Sequence, residues 1–249
     1  MKLALLSDVH SNLQALQACL ADANSRGAAQ YAFLGDQVGY GGDPGPVLDI
    51  VMDLARRGAW VLRGNHDDAA LNPTSTGNRA DLAGAAATFA ALSAAQREFL
   101  AGLPLMVRHE FMCLVHASVR EPARWHYVQD SRRAAESLHA AEESGATHIF
   151  GGHVHEQRLF FHGAVGKVMA FEPIAGVAVP LWKHRRWLAT VGSVGQPRDG
   201  RPEAMYALFD TESMQMTFLR VPYDHQAAGQ AILLAGLPPE NASRLAQGL

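Results

Sequence analysis

Residue types that bind divalent ions recur in this chain directly after short apolar segments. The first such segment, residues 3–6, is followed by Asp8 and His10. Residues two apart on a strand share a face, so this carboxylate and this imidazole can point the same way. Together they would form half of a metal site. An isolated Asp-x-His pair is more often an ordinary polar strand end, and only repetition of the layout favours a metal site.

Four more apolar segments along the chain are likewise followed by Asp, Asn or His. The candidate positions are Asp8, His10, Asp36, Asn65, His66, Asp67, His116, His153 and His155. Carboxylate oxygen, amide oxygen and imidazole nitrogen together suit Mn, Fe or Zn better than Mg or Ca. The set contains no thiolate, which excludes a structural zinc site.

The size of this set indicates how many ions it serves. A single ion uses at most about six ligands, so two ions that share a bridging carboxylate are the simplest interpretation. Two ions roughly 3.5–4 Å apart suit the hydrolysis of phosphate esters, because they polarise the phosphoryl group and generate a hydroxide nucleophile near neutral pH.

Alternating strands and helices would position these residues. The apolar spacing predicts strands over residues 3–6, 31–34 and 59–62, with helices over residues 13–23 and 47–57 between them and Asn12 as an N-cap. Such alternation implies parallel strands, whose carboxyl ends lie at the edge of a sheet where ligands collect. We therefore expect the polar loops to meet at one edge.

The rest of the chain changes from helical to β-rich. Residues 71–102 are mostly helical, and a hairpin over 105–108 and 111–115, a helix over 131–143 and a strand over 147–150 follow. Short β-segments are predicted over residues 159–161, 167–171, 187–191, 205–210 and 214–221, and then two short helical pieces in 225–249. We interpret residues 1–249 as a single domain with a helical insertion near 71–104 and a C-terminal helical tail near 222–249.

Composition narrows the class of protein. An apolar content of 48% over 249 residues is enough for one large domain with a substantial core. The formal charge of −3 argues against a dedicated binder of duplex nucleic acid. Cys19 and Cys113 are expected to be buried thiols of a reducing compartment. The apolar run at residues 3–6 is too short for a signal peptide or a membrane span, so we expect a cytoplasmic protein with no membrane partner.

Five ordered blocks give the chain a family resemblance. Asp8-x-His10, Gly35-Asp36, Gly64-Asn65-His66-Asp67, His116 and Gly152-His153-x-His155 resemble the motifs of the calcineurin-like metallophosphoesterase superfamily, in the family's order. The resemblance covers residues 8–155. It implies an α/β fold, a four-layer αββα sandwich of two mixed β-sheets flanked by helices.

The resemblance also implies a role for each position. One divalent ion would be held by Asp8, His10 and His155, and the other by Asn65, His116 and His153, with Asp36 bridging them. His66 would stay free of metal and would protonate the leaving oxygen or stabilise developing charge. Asp67 would orient His66 by accepting from its ring N–H, with a plain helix N-cap role as the alternative. Mn, Fe and Zn are the expected metals, with Mn favoured in vitro.

The sequence departs from the motifs of the superfamily at three places, and the first of them narrows the resemblance to one branch. Protein Ser/Thr phosphatases of this superfamily carry an arginine where this chain has Tyr40, and a missing bidentate clamp is less damaging for a diester than for a monoester dianion. The chain therefore resembles the small bacterial phosphodiesterase-like branch. The loop over residues 192–200 is similar to that branch's glycine-rich signature, with Thr190-Val191 in place of Asn-Pro. Ser11 replaces a glycine common in the family, and we expect a β-like φ at that position.

Substrate contacts are expected from three loops. Positive charge and a stacking surface for a nucleobase could come from Tyr40, Arg124, His126, Tyr127 and Arg198. A solvated loop with aromatic side chains packed beneath it is the alternative for residues 120–127. The histidines outside the motifs are expected at the surface or in hairpins; these are His109, His139, His148, His162, His184 and His225.

The leading hypothesis is a dinuclear, metal-dependent phosphoesterase that acts on a small phosphodiester or nucleotide-like substrate. A phosphomonoesterase or protein phosphatase is the alternative enzyme. A non-catalytic scaffold with the same fold, like the retromer scaffold subunit of this superfamily, is the alternative that is not an enzyme. Such scaffolds tend to lose ligands, whereas this chain retains every one.

Overall fold

Two mixed six-stranded β-sheets form the centre of the computed structural model, which describes residues 1–73, 79–163 and 166–249. Sheet one has the strand order β3-β2-β1-β11-β12-β9. Its strands are β1 (Lys2–Leu6), β2 (Gln30–Phe33), β3 (Trp60–Val61), β9 (Ala178–Pro180), β11 (Ala204–Asp210) and β12 (Gln215–Val221). β1, β2 and β3 are parallel, and β11 runs antiparallel to β1.

Sheet two has the strand order β4-β5-β6-β10-β7-β8. Its strands are β4 (Met106–His109), β5 (Met112–Val115), β6 (His148–Gly151), β7 (Gln157–His162), β8 (Val168–Phe171) and β10 (Trp187–Val191). β5, β6 and β10 are parallel, whereas β4 and β7 pair antiparallel to their neighbours. The predicted hairpin of β4 and β5 is therefore confirmed.

The described residues also form eight α-helices. They are α1 (Leu13–Ser25), α2 (Pro44–Arg56), α3 (Asn65–Leu71), α4 (Arg79–Ala91), α5 (Ala94–Ala101), α6 (Ser131–Ala140), α7 (His225–Leu234) and α8 (Pro239–Gln247). α1 and α2 pack on the outer face of sheet one, and α6 packs on the outer face of sheet two. The predicted αββα sandwich is confirmed. None of the helices in the described ranges is long and apolar enough to cross a bilayer.

Side-chain alternation on β1 shows how the layers form. Leu3 and Leu5 point into the core between the sheets, where they join Phe150 and Phe209. Leu6, on the opposite face, packs under the helices. Each such burial of a Leu or Phe side chain contributes roughly 1.5–3 kcal/mol. Because both faces of β1 are buried, its position is tightly constrained, and so is the loop that follows it.

The helices mostly begin and end where the sequence predicts. The Asn12 side chain accepts a hydrogen bond from the N–H of Ala15 at 3.0 Å, which confirms it as the N-cap of α1. The helix predicted over residues 131–143 ends at Ala140, and a 3-10 turn over Glu142–Ser144 follows. The predicted helical stretch after residue 71 contains α4 and α5, and residues 74–78 lie outside the described part of the chain.

Two features differ from the sequence prediction. β9 was not predicted, because a three-residue strand that ends in a proline gives almost no pattern and is tolerated only at a sheet edge. His148 was expected at the surface or in a hairpin, but it is fully buried in β6. One of its ring nitrogens lies 2.9 Å from the Leu181 carbonyl oxygen and the other 2.9 Å from the Thr147 hydroxyl. The polar partners on both sides explain how the core accepts this imidazole.

Candidate metal centre

Three predicted ligands converge after β1 and β6. Asp8, His10 and His155 are all buried. Asp8 Oδ1 lies 3.2 Å from His155 Nε2 and 3.8 Å from His10 Nε2, and these two nitrogens lie 3.1 Å apart. The loops that follow the two strands belong to different sheets and meet at one edge, as predicted. We call Asp8, His10 and His155 the first donor group.

A second donor group lies beside the first and consists of Asp36, Asn65, His116 and His153. Asp36 Oδ2 lies 3.3 Å from His116 Nε2, which is 3.1 Å from Asn65 Oδ1. The candidate ligand atoms of Asp36, His116 and His153 all lie within 4.8 Å of one another. Asp36 Oδ2 is also 3.8 Å from His10 Nε2 of the first group. Asp36 is therefore placed between the two groups, where a bridging carboxylate would lie.

Backbone carbonyl groups hold the histidine rings in place. Nδ1 of three rings lies within hydrogen-bond distance of a carbonyl oxygen: His10 to Val38 at 3.1 Å, His116 to Leu34 at 2.8 Å and His155 to Gln196 at 2.6 Å. A carbonyl oxygen accepts only from a protonated ring nitrogen, so Nε2 of each neutral ring keeps a lone pair facing the donor groups. His153 is held the other way round, because its Nε2 donates to the Trp125 carbonyl oxygen at 2.9 Å.

The donors fit divalent cations. Asp8 Oδ1 is fully buried and accepts no hydrogen bond from any described residue, whereas Asp8 Oδ2 accepts from the His153 N–H at 2.9 Å. A buried carboxylate oxygen without a partner is costly. Here it faces the lone pairs of two imidazoles, and a cation at that point satisfies all three acceptors. Oxygen and nitrogen donors without a thiolate are the set expected for Mn, Fe or Zn.

Electrostatic interactions keep the carboxylates ionised. Burial alone would raise the pKa of Asp36, but His116, His66 and His10 hold it well below its ordinary value. The pKa of Asp8 is lowered in the same way by His155, against the effect of burial. Burial lowers the pKa of His153 to about 4, which keeps that ring neutral. Ionised carboxylates and neutral imidazoles are the forms that bind metal ions.

His116 differs from the other rings. Burial opposes its protonation, but the charges of Asp36 and Asp8 raise its pKa to about 9. These carboxylates attract positive charge to this part of the site. A divalent ion bound there would supply that charge in place of the proton, so metal binding is expected to release a proton.

The backbone at the donors is left-handed. Five predicted ligands have positive φ angles: Asp8 at 54°, His10 at 48°, Asp36 at 55°, His153 at 68° and His155 at 58°. Such angles are uncommon for residues other than glycine and concentrate at functional sites. Ser11, for which a β-like φ was expected, also has a positive φ of 52°, so that prediction was wrong. The reason is a tight turn closed by the Asn12 N–H, which donates to the Val9 carbonyl oxygen at 3.1 Å. The His10 and Ser11 N–H groups join this turn to the loop that carries Asp36, by donating to carbonyl oxygens of residues 36 and 37.

Two motif glycines make room for the ligands. A Cβ atom on Gly152 would overlap Ser7 Oγ and Asp8 Oδ2, and one on Gly64 would overlap Asp36 Oδ1. Each glycine therefore lets the backbone approach a carboxylate of the donor groups. A side chain at either position would collide with these carboxylates, which explains why glycine precedes the candidate ligands in both motifs.

Asp67 does not make the predicted contact with the His66 ring. The alternative, a capping role at the N-terminus of the helix, is found, because Asp67 accepts from the N–H of Gly64, the N-cap of α3. Its two carboxylate oxygens accept from the backbone N–H groups of Asp36 at 2.9 Å, Gln37 at 2.8 Å, Val38 at 3.2 Å and Gly64 at 2.9 Å. The predicted hydrogen bond to the His66 ring is not formed, because successive residues on a helix point about 100° apart. Burial and the charge of Asp36 raise the pKa of Asp67 to about 7, although backbone N–H groups lower it. Asp67 thus holds the loop that carries Asp36.

His66 lies at the edge of the donor groups. Its backbone N–H donates to Asp36 Oδ1 at 2.8 Å. Its ring centre lies 4.9 Å from that of His10 and 4.5 Å from that of Tyr40. Burial lowers the pKa of His66. The ring is therefore positioned next to the candidate metal ligands, and its surroundings favour the neutral form in the absence of substrate.

Three predicted substrate contacts surround the donor groups. The Tyr40 ring lies 4.8 Å from the His10 ring, and the Arg198 guanidinium carbon lies 5.9 Å from the centre of the Tyr40 ring. Tyr127 stacks on His153 with ring centres 3.9 Å apart and remains 46% exposed.

The other two predicted contacts, Arg124 and His126, engage Glu121 instead, at 3.1 Å and 3.7 Å. Sequence reasoning missed the Trp125 and Gln196 carbonyl groups, because a backbone acceptor has no signature in the side-chain sequence.

Comparison with known proteins gives consistent matches. A family model described as calcineurin-like phosphoesterase superfamily domain matches residues 1–214. An uncharacterized protein of Methanocaldococcus jannaschii is 31% identical over 252 residues, which cover 99% of this chain and 98% of that protein. The crystal structure of a metallophosphoesterase from Sphaerobacter thermophilus is 32% identical, with a TM-score of 0.89 over 100% of this chain and 99% of that one. A hypothetical protein from Pyrococcus horikoshii has the same fold at 21% identity, with a TM-score of 0.79 over 100% of this chain and 98% of that one.

Proposed function

Because this chain belongs to the calcineurin-like phosphoesterase superfamily, we propose that it is a hydrolase that uses two divalent ions and acts on a small phosphodiester or nucleotide-like substrate. The observation that carries this proposal is the convergence of two donor groups on Asp36, which lies within 3.3 Å of His116 and 3.8 Å of His10. The similarity to a metallophosphoesterase from Sphaerobacter thermophilus supports it.

The proposed division of ligands follows the donor groups. Asp8, His10 and His155 would hold one ion, and Asn65, His116 and His153 the other, with Asp36 shared. When bound, the ions would supply Lewis-acid polarisation of the phosphoryl group and lower the pKa of water. Mn is the metal we expect to work best in vitro.

The chain's own residues would bind the ester and move a proton. His66 lies beside the donor groups on α3 and, once protonated, can donate to the leaving oxygen. Asp67 keeps the Asp36 loop in place by accepting hydrogen bonds from three of its backbone N–H groups, those of residues 36–38. Tyr127 offers an exposed ring next to His153, where an aromatic group of the substrate could lie.

The proposed preference for diesters depends on positive charge near the phosphate. Tyr40 occupies the position of the arginine found in protein phosphatases, and the Arg198 guanidinium lies over its ring. One guanidinium suits a phosphodiester with a single negative charge better than a monoester dianion.

Hydrolysis of two aryl esters tests the proposal. Purified protein is stripped of metal, divided, and assayed with and without Mn on bis(4-nitrophenyl) phosphate and on 4-nitrophenyl phosphate. Mn-dependent turnover with a higher kcat/KM for the diester is expected. A monoester preference would indicate a phosphomonoesterase, and no turnover of either ester together with less than one bound metal equivalent would indicate a scaffold.

A change of leaving group tests the role of His66. Aryl diesters with good leaving groups need little proton donation, whereas alkyl leaving groups need it strongly. His66→Ala should therefore lower kcat for a dialkyl diester, in which either leaving group is an alkoxide, by about 100-fold or more, and should have a smaller effect on bis(4-nitrophenyl) phosphate. His139→Ala, which removes an exposed imidazole from α6, is the matched control. Equal losses on both substrates would exclude proton donation by His66.

A further inference from the structure

The C-terminal helical pair, α7 and α8, lies outside the part of the chain that matches the family model, which ends at residue 214. The two helices pack on each other through Ala228, Ile232 and Leu245, and α7 contacts α1. α1 begins directly after the loop that carries His10. The helical pair is therefore built against the segments that form the donor groups.

Two hydrogen bonds join the tail to these segments. Asn241 of α8 donates from Nδ2 to the Tyr40 carbonyl oxygen at 3.2 Å. Asn12, two residues after His10, donates from Nδ2 to the Tyr223 hydroxyl at 3.3 Å, just before α7 begins. The tail thus holds the two loops that carry His10 and Tyr40.

Close packing accompanies these hydrogen bonds. A Cβ atom on Gly42 would overlap the backbone of Ala231 in α7, so the loop and the helix touch without side chains between them. The cavity that remains between the helical pair and the His10 and Tyr40 loops is about 10 Å³, which leaves room for at most one water molecule. A displacement of the helical pair would therefore reach the Tyr40 loop, through Ala231 of α7 and Asn241 of α8.

Tyr40 is the residue on which this packing acts. It has a positive φ of 57°, which a residue with a side chain keeps only when its surroundings hold it there. The N–H of Gly41, the next residue, donates to the His10 carbonyl oxygen at 3.1 Å. The Tyr40 ring lies 4.5 Å from the His66 ring. The position of this loop therefore determines what lies beside His66.

We propose that Asn241 is a positioning residue of the active site, which acts through Tyr40 on His66. The C-terminal helical pair then packs on α1 and also fixes the position of the Tyr40 loop beside His66. This inference rests on the proposed hydrolase function, because it concerns the rate at which His66 works. It predicts that loss of the Asn241 donor lowers kcat more than it raises KM.

Kinetics of Asn241 variants test the proposal in the full chain loaded with Mn. Asn241→Ala removes the donor, and Asn241→Asp removes it without changing the side-chain volume. Both are expected to lower kcat for a dialkyl diester, whose alkoxide leaving group needs the proton from His66, by about tenfold, with KM changed less than about twofold and metal content unchanged. Ser243→Ala, which removes an exposed hydroxyl bonded within α8, should keep the kcat of the unaltered protein. Unchanged kcat in both Asn241 variants would overturn the proposal.

A double-mutant cycle tests whether the effect passes through Tyr40. Tyr40→Gly removes the ring and accepts the positive φ without strain. Asn241→Ala should cause no further loss of kcat in this background, because its partner has no ring left to position. Additive losses would show that Asn241 acts by another route and would overturn the proposal.

Hydrogen exchange gives a measurement independent of turnover. In the metal-free protein, amide exchange in residues 39–43 should be faster in Asn241→Asp than in the unaltered chain, and Ser243→Ala should not change it. Equal exchange in all three proteins would overturn the positioning role and leave the hydrolase proposal intact. An inactive unaltered protein would instead contradict the proposed function, while the exchange measurement would still report on Asn241.

Discussion

The edge that carries the donor groups and the core between the sheets both bury imidazoles, with different results. At the edge, one ring nitrogen of each of four histidines, His10, His116, His153 and His155, donates to a backbone carbonyl group, and the other faces the donor groups. In the core, both nitrogens of His148 have neutral polar partners, the Leu181 carbonyl group and the Thr147 hydroxyl. Burial alone thus does not make a histidine a ligand. The candidate ligands differ from His148 in having a carbonyl group on one side of the ring and carboxylates on the other.

The largest effect should follow from a change at the edge. Asp36→Asn removes the carboxylate shared by both donor groups, so kcat/KM should fall by about a thousandfold or more. Bound Mn should fall at the same time, as measured by metal analysis after gel filtration. Asp53→Asn, which alters an exposed carboxylate on α2, is the control. Full activity in a folded Asp36→Asn protein would contradict the view that carboxylates distinguish the edge from the core.

In the core, a substitution of His148 should alter how the free energy of unfolding depends on pH. Burial lowers the pKa of His148 to about 4 from the ordinary 6.5. Between these values the unfolded chain binds a proton that the folded protein excludes, so stability is lost as pH falls from about 6.5 to 4. A shift of this size corresponds to roughly 3 kcal/mol.

Urea unfolding of the metal-free protein at several pH values measures this contribution. His148→Gln should show a shallower fall in the free energy of unfolding than the unaltered chain over this range. His139→Gln, at an exposed position, should keep the original slope. Identical slopes for His148→Gln and the unaltered chain would mean that His148 titrates normally in the folded protein.

The smallest effect concerns the carboxylate beneath the edge. Asp67→Asn turns one acceptor oxygen into an amide group that faces backbone N–H donors, which should lower the free energy of unfolding by about 2 kcal/mol. Asp68→Asn, one residue further along α3 and more exposed, should change it by less than about 0.5 kcal/mol. Denaturant titration of the metal-free variants compares them directly, and similar values for both would argue against the holding role of Asp67.

Much of the fold and of the site could be predicted from the apolar segments and the polar residues that follow them. The alternation of apolar segments and helices predicted β1, α1 and β2, and the polar residues after the strands predicted the donors that the structure brings together. The direction in which the Asp67 side chain points could not be predicted from this pattern, because it depends on the residue at which α3 begins. That helix starts at Asn65, so Asp67 turns back toward the backbone N–H groups at its N-terminus.

The backbone contacts and backbone angles of the site could not be predicted from the sequence. The carbonyl groups of Val38, Gln196 and Trp125 orient three histidines, yet their side chains have no part in this. The positive φ of Ser11 depends on hydrogen bonds to a loop 26 residues further along the chain, from Ser11 to Gln37. The buried position of His148 likewise depends on Leu181, which a single strand pattern does not reveal.

The left-handed turns at Asp8, His10, Asp36, His153 and His155 restrict which residues could replace them. Asp, Asn and His are enriched several-fold in this region of backbone space, and the same three types supply the oxygen and nitrogen donors. Chain geometry and coordination chemistry therefore select the same side chains. β-Branched or bulky residues at these positions would strain the backbone, because they disfavour positive φ angles. Such substitutions would therefore destabilise the loops, whatever their effect on the affinity for a metal ion.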